Sequence, residues 1–369
     1  MSERVSVMPK APGFLRNFGV HLARSAREQL GPILIVLAFA TAGWIVGSRF
    51  DLSVLEAVWN YIPTYINILP VTIALILAAR GVGILLVDRP RRPLLTLLVE
   101  IRERFATSER IAFALPTLIF IPIFAGTFSL SKLLISKIHP FAWDVTFAQW
   151  DRVLHFGFAP WELLQPLLGH PDITWMVNWT YNAWFGVMAF AWIWQAFSMR
   201  DKHLRLQFFY ALLLAWILLG NVAATIFSSA GPCYYGFIIE GPDPFAPLLA
   251  YLQDANRQSE VWALKTQAEL WQTNISGELR LGGGVSAMPS LHVTMAFLVF
   301  LVCWRTSKFF GVLAFAFFLL ILIGSVHLAW HYAIDGYFAV VATLLIWFVS
   351  GRLATLTYPA TARAVAVPA

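Results

Sequence analysis

The sequence predicts an all-α integral membrane protein with about eight transmembrane helices. Hydrophobic residues make up 59% of the 369 residues and charged residues only 12%, a balance far from that of a soluble domain. The chain also contains eight apolar segments, most of them close to the length of about 20 residues that a helix needs to cross a bilayer. These segments lie at residues 30–48, 63–87, 111–136, 176–198, 205–229, 290–304, 309–329 and 331–350.

The distribution of basic residues predicts how these spans are oriented. If the N-terminus is cytoplasmic, 19 of the 26 Lys and Arg residues fall on the inner side of the membrane and seven on the outer side. Cytoplasmic loops carry an excess of Lys and Arg, so both termini are expected in the cytoplasm. The basic residues form no single patch interleaved with aromatic residues, and the net charge of +6 therefore does not indicate a nucleic-acid partner.

The stretch LGGGVSAMPSLHVTMAF, residues 281–297, leads from an outer loop into the sixth span. Ser290 follows a proline and is typical of a helix N-cap, which puts His292 in the first turn at the outer surface. The free N–H groups and partial positive charge of a helix N-terminus favour phosphate. Gly283 and Gly284 would let the backbone approach such an anion closely, and a flexible hinge explains them equally well. Ser290 and the two glycines are therefore candidate substrate-binding residues.

A second stretch, GSVHLAWHYAIDGYF, puts ionisable side chains inside an apolar tract. After Glu278 the only carboxylate side chain is Asp335, and an ionisable group at membrane depth is costly enough to suggest a function. His331 lies four residues earlier, on the same face of a helix if both are helical. A carboxylate that accepts one ring N–H fixes the histidine tautomer and leaves the other nitrogen free to attack an electrophile. With His292 for proton transfer, this is the minimum set for phosphoryl transfer through a covalent histidine intermediate.

Both stretches resemble signature motifs of the type 2 phosphatidic acid phosphatase superfamily of membrane enzymes. The string P-S-L-H that ends at His292 is one form of its second motif. The string H-Y-x-x-D that begins at His331 is similar to the third motif of the branch containing inositol phosphorylceramide synthase and sphingomyelin synthase. The resemblance implies that His331 is the nucleophile, that Asp335 orients it and that His292 protonates the leaving oxygen. It also implies a substrate-binding position for Tyr332, and no cofactor is expected.

Two features of the phosphatase members are not found. Those members carry an arginine six residues before the nucleophile, where this chain has Ser325, and a K-x6-R-P motif ahead of the second motif, for which the corresponding region offers no good match. The inositolphosphotransferase-like branch shares both absences, so they favour that branch. The cation that binds phosphate stays open, with Arg280 as the nearest outer candidate and Lys265 as the next.

The resemblance covers roughly the last five or six spans and suggests how the chain is divided, with the first two spans as an addition to a core. The expected parts are a basic cytoplasmic N-terminus at residues 1–29, two additional spans with a basic cytoplasmic loop at 30–110, a six-span catalytic core at 111–350 with outer loops at 137–175 and 230–289, and a cytoplasmic tail at 351–369. The segment GPCYYG in the second loop is a candidate for shaping the head-group pocket.

The expected function is a membrane enzyme that cleaves or transfers a phosphate ester of a lipid at the non-cytoplasmic surface. Its partners would be the bilayer and a phospholipid, a sphingolipid or a polyprenyl phosphate. Water as the acceptor would make it a phosphatase, and a lipid hydroxyl a phosphotransferase.

Two alternatives stay open at this point. His327, His331 and Asp335 would be spaced to bind a metal ion if one helix carried all three, which would make the protein a metal-dependent membrane hydrolase. Intramembrane His and Asp residues also occur in proton-coupled transporters.

Overall fold

The computed structural model of the protein describes residues 12–280 and 282–358, and this part of the chain is all-helical. Of the expected cytoplasmic ends, residues 1–11 and 359–369 lie outside the described residues. The helices are α1 (Pro12–Glu28), α2 (Leu30–Gly47), α3 (Val54–Gly83), α4 (Pro93–Glu100), α5 (Ser108–Ile138), α6 (Asp144–Leu154), α7 (Pro160–Leu168), α8 (Pro171–Phe197), α9 (Lys202–Ile217), α10 (Ala224–Ile226), α11 (Tyr235–Ile238), α12 (Ala246–Gln258), α13 (Trp262–Ser276), α14 (Leu291–Thr306), α15 (Lys308–His327) and α16 (Ala333–Thr357).

The predicted spans correspond to helices. Among the described residues, six helical segments are long and apolar enough to cross a membrane by length and composition, namely Leu30–Phe50, Val54–Asp88, Ser108–Ile138, Lys202–Ile226, Lys308–His327 and Ala333–Thr357. The sixth predicted span is the shorter apolar helix α14. The fourth is α8, which is 27 residues long and rich in tryptophan. The prediction of an all-helical, multi-pass membrane protein is confirmed.

Polar side chains start several of these helices. Ser53, Thr107 and Asp201 accept a backbone N–H in the first turns of α3, α5 and α9, at 3.3, 3.2 and 2.8 Å. Each accepts one of the N–H groups that a helix N-terminus leaves without an internal partner. These caps fix the residue at which each helix begins.

Helix α5 lies at the centre of the bundle, with α1, α2, α3 and α8 packed against it. α3 approaches α5 closely, since a Cβ atom added to Gly126 would lie 2.6 Å from the Cα atom of Val58. Tyr65 of α3 also donates its hydroxyl to the carbonyl oxygen of Leu118 at 3.0 Å. The two N-terminal spans therefore pack directly on a helix of the expected core.

The two long loops, residues 137–175 and 230–289, contain short helices that cover one end of the bundle. α6 packs against α16, α7 against α15 and α12 against α8. Gln267 of α13 donates its side-chain N–H to the carbonyl oxygen of Leu328, just after α15, at 2.9 Å. This end of the bundle is where α14 and α16 begin.

We expect Gly126→Leu to destabilise the protein, because the new side chain would push α3 away from α5. Overpacking a close interface costs about 1–3 kcal/mol. Gly186→Leu is the matched control, since an added Cβ atom at this position of α8 meets nothing within 4 Å. Thermal unfolding of the purified variants in detergent measures the difference. Equal unfolding temperatures for the two variants would contradict the close approach of α3 and α5.

Candidate active site

His331 lies in the connection between α15 and α16. Its Nδ1 atom is 3.2 Å from Oδ2 of Asp335, the third residue of α16. The same carboxylate oxygen accepts the backbone N–H of Tyr332 at 3.0 Å. This one oxygen therefore both caps α16 and holds the imidazole of His331 in position. Asp335 is fully buried and His331 is 7% exposed. Because the carboxylate of Asp335 contacts Nδ1, the other ring nitrogen, Nε2, points away from the carboxylate. A nitrogen that is to act as a nucleophile needs this separation.

His292 lies in the first turn of α14 and faces His331. The centroids of the two imidazole rings are 6.2 Å apart. The ring of His292 stacks on Tyr181 at 4.8 Å with an interplanar angle of 19°, and the indole N–H of Trp184 donates to the carbonyl oxygen of His292 at 3.0 Å. α14 begins after Ser290, whose hydroxyl accepts the N–H of Val293 at 3.4 Å. The predicted N-cap is therefore confirmed.

A cavity of about 410 Å³ lies beside both histidines. Lys132, His292 and His331 line it near the covered end of the bundle, together with Gly284 and Ser286 of the loop before α14. Most of the remaining wall is apolar or aromatic and comes from α3, α5, α8 and α9. The candidate site thus combines a polar end with a largely apolar chamber.

Lys132 of α5 was not expected from the sequence. Within the part of the chain that the structure describes, it is the one Lys or Arg among the residues that line the cavity. With His139 and Pro140 it forms the string K-x6-H-P, which differs from the K-x6-R-P motif at one position. This near match is the signal that would have identified Lys132. A cation beside two histidines in a mostly apolar chamber favours an anionic group there.

The expected cations lie elsewhere. Arg280 is exposed and forms an ion pair with Glu278, with 3.0 Å between Nη2 and Oε2. Neither Arg280 nor Lys265 belongs to the described residues that line the cavity. The structure therefore brings Lys132, and not these two residues, to the histidines.

The two glycines before α14 have packing roles. Gly284 lines the cavity and has a φ of 84°, and a Cβ atom added to it would lie 2.7 Å from the carbonyl oxygen of Lys132. A Cβ atom added to Gly283 would lie 2.9 Å from Cγ2 of Thr273 on α13. Gly284 lets the loop lie directly on the backbone of α5, which brings it beside the lysine.

His327 is separated from His331 by a break in the helix. α15 ends at His327, the connection passes through Ala329 with a φ of 60°, and α16 starts at Ala333. Nε2 of His327 lies 2.9 Å from the hydroxyl of Thr174 on α8. The single helix that the metal hypothesis required is not formed, and the described residues contain no group of three His, Cys, Asp or Glu side chains arranged to hold a metal ion.

Two aspartates of α6 hold the start of α16, and the sequence did not single them out. Asp151 accepts the backbone N–H groups of Ala333 and Ile334 at 2.7 and 2.9 Å. Asp144 accepts the hydroxyl of Tyr332 at 2.8 Å. Tyr332 therefore packs towards α6 and is not among the described residues that line the cavity. Seven-residue spacing, which puts both acids on one face of a helix, is the signal that would have indicated them.

These aspartates are buried, with exposures of 1% for Asp144 and 3% for Asp151. Burial raises the pKa of Asp151 to about 6, and the two N–H groups that it accepts oppose this rise. Burial also raises the pKa of Asp144, against the N–H groups of Gly231 and Ala230, which it accepts at 2.8 and 3.0 Å. α6 is thus hydrogen-bonded both to α16 and to the segment after α10.

The connection that carries His331 is held by further backbone hydrogen bonds. The N–H groups of Trp330 and His331 donate to the carbonyl oxygen of Ser325 at 2.9 and 3.1 Å. Cys233, in the segment GPCYYG, donates its N–H to the carbonyl oxygen of Ala329 at 3.0 Å. This segment therefore supports the connection that carries the histidine.

Comparison with known proteins identifies the family. A model of the PAP2 superfamily matches residues 145–349, more than half of the chain. The matched region contains His292, His331 and Asp335, and it begins after Lys132. No curated protein and no solved structure matches the chain significantly. The chain belongs to the PAP2 superfamily, whose members are generally phosphatases and phosphotransferases that act on phosphate esters.

Proposed function

We propose that the protein is a lipid phosphatase or phosphotransferase that works through a phosphohistidine intermediate. One observation carries this proposal: the His331–Asp335 pair, His292 and Lys132 converge at one end of a largely apolar cavity. The polar end suits a phosphate and the apolar part suits the lipid to which the phosphate is attached.

Each side chain has a role in the first chemical step. The Nε2 lone pair of His331 attacks phosphorus, so that a P–N bond forms while the bond from phosphorus to the leaving oxygen breaks. His292 gives its proton to the leaving oxygen. Asp335 holds the Nδ1–H and stabilises the positive charge that develops on the ring of His331. The ammonium of Lys132 offsets the negative charge on the phosphate oxygens.

The second step returns the enzyme to its starting state. The oxygen of an acceptor attacks phosphorus, its proton passes to His292 and the P–N bond to His331 breaks. Water as the acceptor gives hydrolysis, and a lipid hydroxyl gives transfer of the phosphate-bearing head group. The H-Y-x-x-D string that starts at His331 and the serine at position 325 support the inositolphosphotransferase-like branch, so we propose head-group transfer of the inositol phosphate type.

The reaction is proposed to take place at the non-cytoplasmic surface, with both termini in the cytoplasm. Support comes from the excess of Lys and Arg on the opposite side of the membrane. The histidines lie at the end of the bundle that the two long loops cover. The lipid therefore presents its phosphate from the outer leaflet.

We expect His331→Ala to lower turnover by about a thousandfold or more, because it removes the nucleophile. His327→Ala is the matched control, since this histidine contacts Thr174 and is not among the described residues that line the cavity; turnover of the folded variant should stay close to that of the wild type. Vanadate should inhibit turnover of the wild-type protein, and a metal chelator should leave it unchanged.

The measurement uses purified protein with phosphatidylinositol, phosphatidic acid or a polyprenyl phosphate, with and without ceramide or diacylglycerol. Mass spectrometry identifies the products and so separates hydrolysis from transfer. The catalytic assignment is falsified if His331→Ala keeps wild-type turnover on whichever substrate is active.

Lys132→Met should lower kcat by about 10²–10³, the loss typical of removing one oxyanion-hole donor from an active site. Lys137→Met is the matched control, because Lys137 lies on the same helix, is exposed and does not line the cavity. The same product assay measures both variants. A loss of equal size in both would mean that Lys132 acts only through the general charge of the protein.

A further inference from the structure

The cavity extends from the histidines deep into the bundle. Lys132 and Ile121 both line it and lie eleven residues apart on α5, which is about 16 Å along a helix that rises about 1.5 Å per residue. On α8, Tyr181 and Ile193 line it twelve residues apart, which is about 18 Å. The chamber is therefore long and runs parallel to the spans.

Polarity falls along this length. Lys132 and the two histidines line one end of the cavity. Further along α8, eight residues beyond Tyr181, the wall is formed by the apolar residue Ala189. The side chains that line the deep part include Ile121, Ala125, Met188, Ala189, Trp192, Ile193 and Trp216. We call this deep part the tail shaft. A space with apolar walls does not hold ordered water well, and it favours hydrocarbon.

One wall of the cavity comes from α3, a helix outside the region that matches the PAP2 superfamily. Tyr61, Tyr65 and Ile68 are among its lining residues. The hydroxyl of Tyr65 donates a hydrogen bond to the carbonyl oxygen of Leu118. The tyrosine ring is therefore held between α3 and α5. α3 is therefore built into the site, although it was expected to be an addition to the catalytic core.

The cavity also borders the surface of the bundle between α3 and α8. Ile68 of α3 and Phe185 of α8 line the cavity, yet they are 40% and 59% exposed. Both lie within the helices that correspond to predicted spans, so the surface on which they are exposed faces lipid. A chain from the bilayer would reach the cavity here without crossing water.

We propose that the tail shaft binds one hydrocarbon chain of the lipid whose phosphate reaches His331, and that the lipid enters sideways between α3 and α8. The ligand is a phosphate ester that carries a long flexible chain. The inference rests on the proposed function for the phosphate end of this ligand. The depth of the tail shaft then limits the length of chain that is bound, and α3 takes part in substrate selection.

Photolabelling tests the position of the chain without requiring turnover. The probe is hexadecyl phosphate with a diazirine near the end of its chain, added to the full-length protein in phosphatidylcholine nanodiscs and photolysed. Tandem mass spectrometry locates the labelled residues. Labels on residues 121–125 of α5 or 189–193 of α8 are expected. Labels confined to lipid-facing residues such as Leu320 and Leu345 would overturn the proposal.

Filling the tail shaft should abolish this labelling. Ala189→Phe puts a large ring into the chamber and should reduce labelling of the shaft residues about tenfold, the factor that corresponds to typical overpacking costs. Ala183→Phe is the matched control, because Ala183 is also a half-buried alanine of α8 and does not line the cavity. Equal labelling in the two folded variants would overturn the proposal.

A second pair of variants tests the entrance from the lipid side, where a larger side chain is less able to disturb folding. Ile68→Trp should slow labelling of the tail shaft, whereas Ile66→Trp should not, since Ile66 is an exposed isoleucine of α3 outside the cavity lining. Identical labelling rates would contradict entry between α3 and α8.

One further variant separates this inference from the proposed function. His331→Ala removes the proposed nucleophile and should leave labelling of the tail shaft intact. Labelling without turnover in the wild-type protein would overturn the proposed chemistry and keep the tail shaft. Turnover that depends on His331, without labelling of the tail shaft, would support the proposed chemistry and overturn the tail shaft as the binding site of the chain.

Discussion

The hydrogen bonds from α6 to the start of α16 are the contact on which the candidate site depends. The chain must leave the helix after His327 and start a new one at Ala333, and this break leaves backbone N–H groups without helical partners. In a buried position such groups need an acceptor. Asp151 provides it for Ala333 and Ile334, and Asp335 provides it for Tyr332. His331 lies in the connection immediately before these capped residues.

The same contacts explain why the two long loops belong to the site. Asp144 joins the segment after α10 to Tyr332, and Gln267 of α13 binds the backbone just after α15. Both loops cover the end of the bundle where α14 and α16 begin. Because the loops form hydrogen bonds around His331, they also determine where the ring of His331 lies relative to His292.

The chemistry of the cavity follows from which helices surround it. α5 contributes Lys132 near the histidines and Ile121 well below them, so a single helix supplies both the charge and the apolar wall. α3 closes the side, and Gly126 allows it to come close to α5. One chamber thus offers matching surroundings for both the phosphate and the hydrocarbon chain of the proposed lipid substrate.

The sequence by itself determined the class of fold and two strings of the site, for local reasons. Apolar length predicts spans, and the strings ending at His292 and starting at His331 lie at helix starts, where a cap and spacing of a few residues define the geometry. The contribution of Lys132 and α3, the exclusion of Arg280 from the cavity and the support from Asp144 and Asp151 were decided only by the tertiary structure. Each depends on residues far apart in the chain, and packing alone determines whether such residues meet.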